Sequence, residues 1–490
     1  MKKQIAMILT AAMTVGSLAG CGSTGAAGET DKTAETTVSS QAAGSTETST
    51  AAGSTAATAS TTTAAASGDI TSWILEKDTN MKGEVDFWIP FKGDAGMDAM
   101  IADFNKTYPN IKVNLNSYSN NSDGNMSVNT AIQAGEVDVL ASFGLNQTYT
   151  RWENGLFEDI TDKCTDEGID LKANWGTDDY KYEDKIYTLP CGGLKNYVSI
   201  NMTDWKEAGL GDIPTEWTWD DYLAASAKMT KKDGDKVTTY GGSDYHSVDY
   251  FTYVKQQVDG TDRYYDDKTG LSDFDCDLIV NSLTREIKAE NEDQIWFPKT
   301  IYRSDSIQVQ TPFTKGETAS VISPNMVRFL RDTENYPHDF ITAFAPYPVE
   351  EKGQDNYMAG GTVFSHAGIA TGCKDEAASW AFLKWYSTYG SKYLALAGHQ
   401  STWKGTDAAD LVSLIFGSEE AAKLIDVDLF KRVIGDNTLP IFVDKHTEAF
   451  SDVTSAVNEN AMYAFSGEMT PEEAMKAAKE QADDAIKAEQ

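Results

Sequence analysis

From residue 84 onward the chain alternates between two hydrophobic periods. Glu84-Val85-Asp86-Phe87-Trp88-Ile89 places apolar side chains at every second position, the period of a half-buried strand. A glycine-containing loop, 90–96, then leads into Met97, Met100, Ile101 and Phe104, whose spacing makes one apolar helical face. Pro109-Asn110 ends that helix, and Ile111-Lys112-Val113-Asn114-Leu115 returns to the strand period. A polar loop over 116–125, a helix from about Val128 to Ala134 and an apolar strand Val137-Asp138-Val139-Leu140-Ala141 follow. Strands alternating with helices predict an α/β fold on a parallel sheet covered on both faces.

Farther along, helices dominate. Thr218-Trp219-Asp220-Asp221 fits a capping box, in which the Thr oxygen and the Asp carboxylate serve amides of the first turn. Thr470-Pro471-Glu472-Glu473 repeats the device with proline at the first helical position, opening a terminal helix whose apolar face carries Met475, Ala478 and Ile486. Trp205, Trp219, Trp380 and Trp385 fall on helical faces or cap positions and are expected to pack.

The first 70 residues follow neither period. Lys2 and Lys3 precede an uncharged apolar run from Ile5 to Val15, and Leu18-Ala19-Gly20-Cys21 follows. A basic start, a short apolar core and small residues form a secretory signal, and the run is shorter than the roughly 20 residues a membrane span needs. The small pair before cysteine resembles a bacterial lipobox. It predicts cleavage after residue 20 and acylation of Cys21, with palmitate among the chains, anchoring the protein to the outer face of the membrane of a single-membrane bacterium. All but seven residues from 22 to 68 are Ala, Gly, Ser or Thr. Such a segment buries too little surface to offset its ordering entropy, so 21–68 is expected to be a tether with a reach of roughly 40 Å.

About 420 residues remain, more than one compact core usually holds, so two lobes are expected. The net charge of −34 becomes −36 once Lys2 and Lys3 are removed. That field repels nucleic acid and anionic lipid. Of the cysteines beyond Cys21, Cys164, Cys191, Cys276 and Cys373 show no CxxC spacing, and the five histidines show no HExxH spacing, so neither a metal nor a cofactor is signalled. Four cysteines allow three pairings, left open here.

Several stretches, in order, carry a resemblance: MIADFNKTYPNIKV (100–113), AGEVDVLASF (134–143), EDKIYTLP (183–190), INMTDWKEAGL (200–210), PTEWTWDDYLAASAKMT (214–230), FTKGETASVISPN (313–325) and SGEMTPEEAMKAA (466–478). The set resembles the family 1 extracellular solute-binding proteins, the sugar-binding lipoproteins of ABC importers similar to maltose-binding protein. The resemblance implies a two-lobed, type II periplasmic-binding-protein-like fold with three interlobe crossovers and the ligand in the cleft. By position, lobe 1 takes 83–190 and 347–401, and lobe 2 takes 194–344 and 405–490. The crossovers fall near 190–193, 345–347 and 401–403, with Pro190, Gly192, Gly193 and Pro346 as the expected hinge residues. The family's aromatic-Asn-Lys-Asp motif reads Ser199-Ile200-Asn201-Met202-Thr203-Asp204 here, and its tryptophan after the KGETA-like strand is Asn325. Maltose-like specificity is therefore not transferred.

A sugar offers hydroxyls for directional hydrogen bonds and C–H faces that stack on rings, and ligands of open α/β sheets lie beyond the carboxyl ends of strands. The first strand and its loop supply Trp88, Lys92 and Asp94. The second supplies Asn120, Asn121 and Asp123, and the third supplies Ser142, Phe143 and Asn146. From the second lobe come Tyr245, His246, Trp296, Asn325 and Arg328. Gly360-Gly361 resembles the family's glycine pair that lets backbone approach the cleft, and Trp403 stands at the third crossover. No catalytic residue is assigned.

The expected function is capture of a mono- or oligosaccharide outside the cell and delivery to the membrane subunits of an ABC permease, by a monomer held to the membrane through lipid alone. A secreted glycosidase would need two carboxylates about 5–10 Å apart, and no signature marks such a pair. GxSxG is absent, which argues against a serine hydrolase. Tyr264-Tyr265 is a faint sign of an iron-binding relative. A polyamine receptor would want several acids converging on the cleft.

Overall fold

Val85, Phe87 and Ile89 are all fully buried, and Met97, Met100 and Phe104 close over them, so the two periods meet in one core. The structure is a computed structural model that describes residues 71–90, 96–177, 180–356, 362–418, 422–439, 441–445 and 449–490. All of these belong to one compact unit. The apolar leader with Cys21, the tether, Lys92, Asp94, Gly360 and Gly361 lie outside the described residues. No described helix is long and apolar enough to cross a membrane.

The strands are β1 (Gly83–Ile89), β2 (Ile111–Ser117), β3 (Val139–Phe143), β4 (Leu189–Leu194), β5 (Tyr197–Asn201), β6 (Lys231–Asp233), β7 (Lys236–Thr239), β8 (Ser320–Ser323), β9 (Thr342–Pro346), β10 (Thr362–Ile369) and β11 (Gln400–Ser401). Six of them form a sheet in the order β11-β4-β10-β3-β1-β2, three form a second sheet in the order β8-β5-β9, and β6-β7 is a small hairpin. The expected parallel sheet is found only in β2-β1-β3. There, helices α1 (Met97–Thr107) and α2 (Ser122–Gln133) make the crossovers that parallel strands require. β10 and β11 run antiparallel to their neighbours, because they belong to stretches that return from the three-stranded sheet.

The chain changes sheet between β4 and β5 at Lys195–Asn196, just past the expected hinge. Pro190, Gly192 and Gly193 are strand residues of β4. A Cβ on Gly193 would lie 2.6 Å from Thr362 O, so this glycine serves a close strand approach. Pro346 ends β9, at the second change of sheet. The third follows β11.

Beneath the six-stranded sheet, Phe87, Phe104, Phe382 and Tyr386 stack at centroid distances of 4.9–6.0 Å. Trp73 and Ile74 are buried in this core, so the chain docks about ten residues before the expected lobe start. The Thr218–Asp221 and Thr470–Glu473 capping boxes both form. The terminal helix Pro471–Glu489 buries Met475, Ala478 and Ile486 in a core shared with the helix Phe450–Phe465. Trp205, Trp219, Trp380 and Trp385 are all buried. Cys164, Cys191, Cys276 and Cys373 are free thiols.

Candidate functional site

The carboxyl ends of β1, β2 and β3 open on one side of the six-stranded sheet. Trp88, near the end of β1, is half-buried, and its Nε1 donates to Glu136 O at 3.1 Å. After β2, Asn120 is exposed, and Asn121 caps α2 by accepting from Gly124 N at 2.9 Å. Asp123 stands exposed in the first turn, where its charge suits the helix N-terminus. After β3, Ser142 is buried and engaged with Thr148 and Arg151 rather than with the open side. Asn146, in the first turn of helix α3 (Leu145–Glu153), lines a hollow of about 570 Å³ with Tyr149, Glu153 and Tyr182, facing Phe450 and Asp452.

The three-stranded sheet contributes a second group. Gly241-Gly242 brings the chain tight against its neighbours: a Cβ on Gly241 would lie 1.7 Å from Ser226 O. Ser243 O then accepts from Ile322 N of β8 at 2.9 Å, which fixes Tyr245-His246 beside the end of that strand. The Tyr245 ring lies 4.1 Å from His246 and 5.2 Å from Tyr250. Burial raises the Tyr245 phenol, so it stays protonated, and its hydroxyl is hydrogen-bonded to Asn325 with Arg328 close by.

His399 joins the two groups. It stacks on Phe364 at 5.4 Å and meets Phe143 edge-on at 5.4 Å, both from the six-stranded side. On the other side Arg328 is near enough to lower its pKa, and a Cβ on Gly398 would lie 2.9 Å from Asn325 Cβ. Burial, reinforced by Arg328, takes His399 to about 4. Burial, then Lys299 and Arg303, takes His246 to about 4. Both imidazoles are therefore neutral at pH 7, each with one donor and one acceptor nitrogen, the pair a hydroxyl can use. His246 Nδ1 is buried with no partner among the described residues. Rings, neutral imidazoles, an amide and one guanidinium make a surface with the stacking faces, donors and acceptors that hydroxyl-rich solutes require. Among the described residues there is no cluster of potential metal ligands.

Of the residues expected from sequence, Phe143, Tyr245, His246, Asn325 and Arg328 come together here. Trp296 does not: it is fully buried against Trp219 and Tyr222. Trp403 is 4% exposed, lies in the first core edge-on to Tyr389 at 5.1 Å, and is walled off by Gly405. Tyr264 and Tyr265 are core side chains. His399 was missed. Its only signal was its place two residues before the expected third crossover, in a chain whose histidines lack motif spacing. At the changes of sheet, a cavity of about 350 Å³ is lined by Lys195, Asn196, Trp217, Tyr347, Arg432 and Asp436. Lys195 Nζ donates there to Asp436 O at 2.6 Å, and burial brings its pKa down to about 8.

The family model for bacterial extracellular solute-binding protein matches residues 89–393. An arabinooligosaccharide-binding protein of Bacillus subtilis (strain 168) is 27% identical over 307 residues, 59% of this chain and 66% of that protein. A multiple sugar-binding protein of Streptococcus mutans serotype c is 28% identical over 141 residues, 28% of this chain and 31% of that protein. The chain thus aligns with less than two thirds of the length of either relative. Among solved structures, a sugar transporter from Rhizobium etli in an open conformation superposes with a TM-score of 0.67 at 14% identity, over 81% of this chain and 98% of that one. The fold is that of the two-lobed, type II periplasmic binding proteins.

Proposed function

Because the chain belongs to the bacterial extracellular solute-binding proteins, whose members bind solutes and are not enzymes, we propose that it is the sugar receptor of an ABC importer. It captures a mono- or oligosaccharide outside the cell, closes over it, and presents the closed form to the membrane permease. The observation that carries this is the His399 junction, where rings and neutral hydrogen-bonding groups from both sheets converge. Neutral imidazoles with stacked rings suit a neutral polyol better than an ion. The relatives named for arabinooligosaccharides and multiple sugars support a carbohydrate, and the first ligands to try are arabinooligosaccharides.

In this reading residues 83–190 with 347–401 form one lobe and 194–344 with 405–490 the other, and the crossovers act as the hinge. Affinity then depends on the open–closed balance as well as on direct contacts. Cys21 carries the lipid and 21–68 is the leash, which keeps a monomeric receptor concentrated near its permease.

The test is a thermal-shift screen of a carbohydrate panel that includes arabinobiose, arabinotriose and maltotriose, followed by calorimetry on the hits. A ligand that binds only the folded form raises its melting temperature. Tyr245→Ala and His399→Ala are expected to weaken binding at least tenfold while the protein stays folded. A panel with no hit, or release of reducing ends from a bound oligosaccharide, overturns the receptor reading. Anchoring is checked by labelling cells with palmitate and comparing the wild type with Cys21→Ser.

A further inference from the structure

Arg151 of α3 is fully buried, and no carboxylate pairs with it among the described residues. Its partners are neutral oxygens: Nε donates to Asn129 Oδ1 at 2.8 Å, Nη1 to Ser142 Oγ at 2.6 Å and Nη2 to Asn125 Oδ1 at 2.6 Å. A buried cation among neutral groups carries a desolvation cost that an apolar side chain of similar size would avoid. Its position between two candidate ligand loops gives that cost a purpose.

A guanidinium only donates, so each group facing it must accept and spend its own hydrogens elsewhere. Asn125 therefore turns its carbonyl to Arg151 and its NH2 away, toward Asn121 O at 2.9 Å and Asn120 Oδ1 at 3.3 Å. Asn120 is the acceptor in that contact, which leaves its own NH2 as the free end of an exposed side chain. A second relay runs the other way. Thr148 donates to Gly144 O at 2.9 Å in the turn after β3 and therefore accepts from Ser142 Oγ at 2.8 Å, which itself accepts from Arg151.

We propose that Arg151 is a positioning residue that fixes the hydrogen-bond polarity of the loops after β2 and β3, so that Asn120 offers the ligand a donor and selects a sugar oxygen presented as an acceptor. The sugar contact rests on the receptor reading above; the polarity of the amide chain does not.

The experiment therefore has two arms. Side-chain amide NMR of the ligand-free protein is expected to show one slowly exchanging Asn125 NH2 pair in the wild type. In Arg151→Met that pair broadens or doubles as the amide turns over. Arg151→Lys, which keeps a buried donor, gives the reading if the methionine variant fails to fold. Calorimetry with arabinotriose is the second arm. Asn120→Asp, which can only accept, is expected to bind at least tenfold more weakly, and Arg151→Met to lose a similar factor. The double variant should be no more than twofold weaker than Asn120→Asp alone, because both changes act through one contact. An unchanged Asn125 pair in Arg151→Met overturns the positioning role. Full affinity in Asn120→Asp, or additive losses in the double variant, overturns the donor assignment. A wild type that binds no sugar overturns the receptor reading and the sugar contact with it, while loss of the Asn125 signal in Arg151→Met still upholds the positioning role.

Discussion

The regions under the two sheets differ in how they surround several of their buried ionisable groups. Beneath the six-stranded sheet Arg151 and His366 stand among neutral neighbours, whereas Lys384, at the edge of that core, pairs with Glu76 at 2.8 Å and Glu167 at 2.6 Å. Arg151 is held by two amides and a hydroxyl, and His366 meets the edges of Trp152 and Tyr180 at 5.9 and 4.8 Å, its ring nitrogens without a hydrogen-bond partner among the described residues. On the other side the charges are netted together. Lys299 reaches Asp244 at 3.2 Å and Glu286 at 3.1 Å, and Glu290 Oε2 accepts from its backbone N–H at 2.8 Å. Arg263 lies between the rings of Tyr253 and Tyr264 while pairing with Asp249 and Asp444. A titratable group sunk among apolar side chains, as His366 is, meets no charge, whereas Lys384 reaches carboxylates that are themselves part-exposed.

The difference predicts opposite responses to pH. Burial pushes His366 down to about 3, so its neutral form belongs to the folded state. That stability is present above about 6.5 and is lost as pH falls toward 3. Burial pushes Glu290 up to about 8, and burial with the neighbouring Asp444 charge pushes Asp262 up to about 7. The folded state holds protons on these acids, so their contribution is full below about 4 and is lost as pH rises toward 7–8.

The comparison breaks most readily at two buried positions. Lys299→Met leaves Asp244, Glu286 and Glu290 buried without their cation, and is expected to cost about 3–5 kcal/mol at pH 7.5. The loss should shrink at pH 5, where Glu286 and Glu290, both raised by burial, take up protons; a pH-independent loss in melting temperature would refute the netted-charge account. Trp403→Ala should also cost about 3–5 kcal/mol, but equally at both pH values, since its loss is a cavity in an apolar core. A binding defect without destabilisation would instead return Trp403 to the ligand site. Next in size, Glu290→Gln should flatten the decline in stability between pH 5 and 8, read from urea midpoints. The smallest effect is expected for His366→Phe, which should leave pH 7.5 stability within about 1.5 kcal/mol and improve it at pH 4.5. An unchanged acid limb would mean that His366 is not what weakens the first region in acid.

Much of the first region was legible. Period-two apolar positions gave β1 and β2 to within two residues, because β1 buries Val85, Phe87 and Ile89 and β2 packs Ile111, Val113 and Leu115 against the same core. Helix α2 begins six residues before the expected Val128, because the Asn121 cap and a polar first turn looked like loop. Its buried side is marked by Asn125 as well as by Val128 and Ile132. β3 lies two residues later than expected, since Asp138 is spent bonding Asp86 N at 2.8 Å and Lys374 N at 2.7 Å. The site was legible where a family signature ended in an unusual residue, as at Asn325, or where a glycine pair preceded an aromatic, as at Tyr245. It was not legible at His399, whose partners Phe143, Phe364 and Arg328 lie 256, 35 and 71 positions away. Nor did tryptophan content mark the site, since both Trp296 and Trp403 were drawn into cores, where large rings bury the most surface.

The sequence by itself determined the fold family, the caps and the local elements, because periodicity and capping act between residues a few positions apart. It also determined the expectation of a lipidated Cys21 and a tether, which are matters of composition and order. Only the tertiary structure decided which rings face the opening and which fill the core, and where the chain changes sheet. It also decided that a lone arginine stands among amides and a hydroxyl between the loops after β2 and β3. Those outcomes depend on burial and on hydrogen-bond direction between distant segments, and neither is fixed until the sheets are assembled.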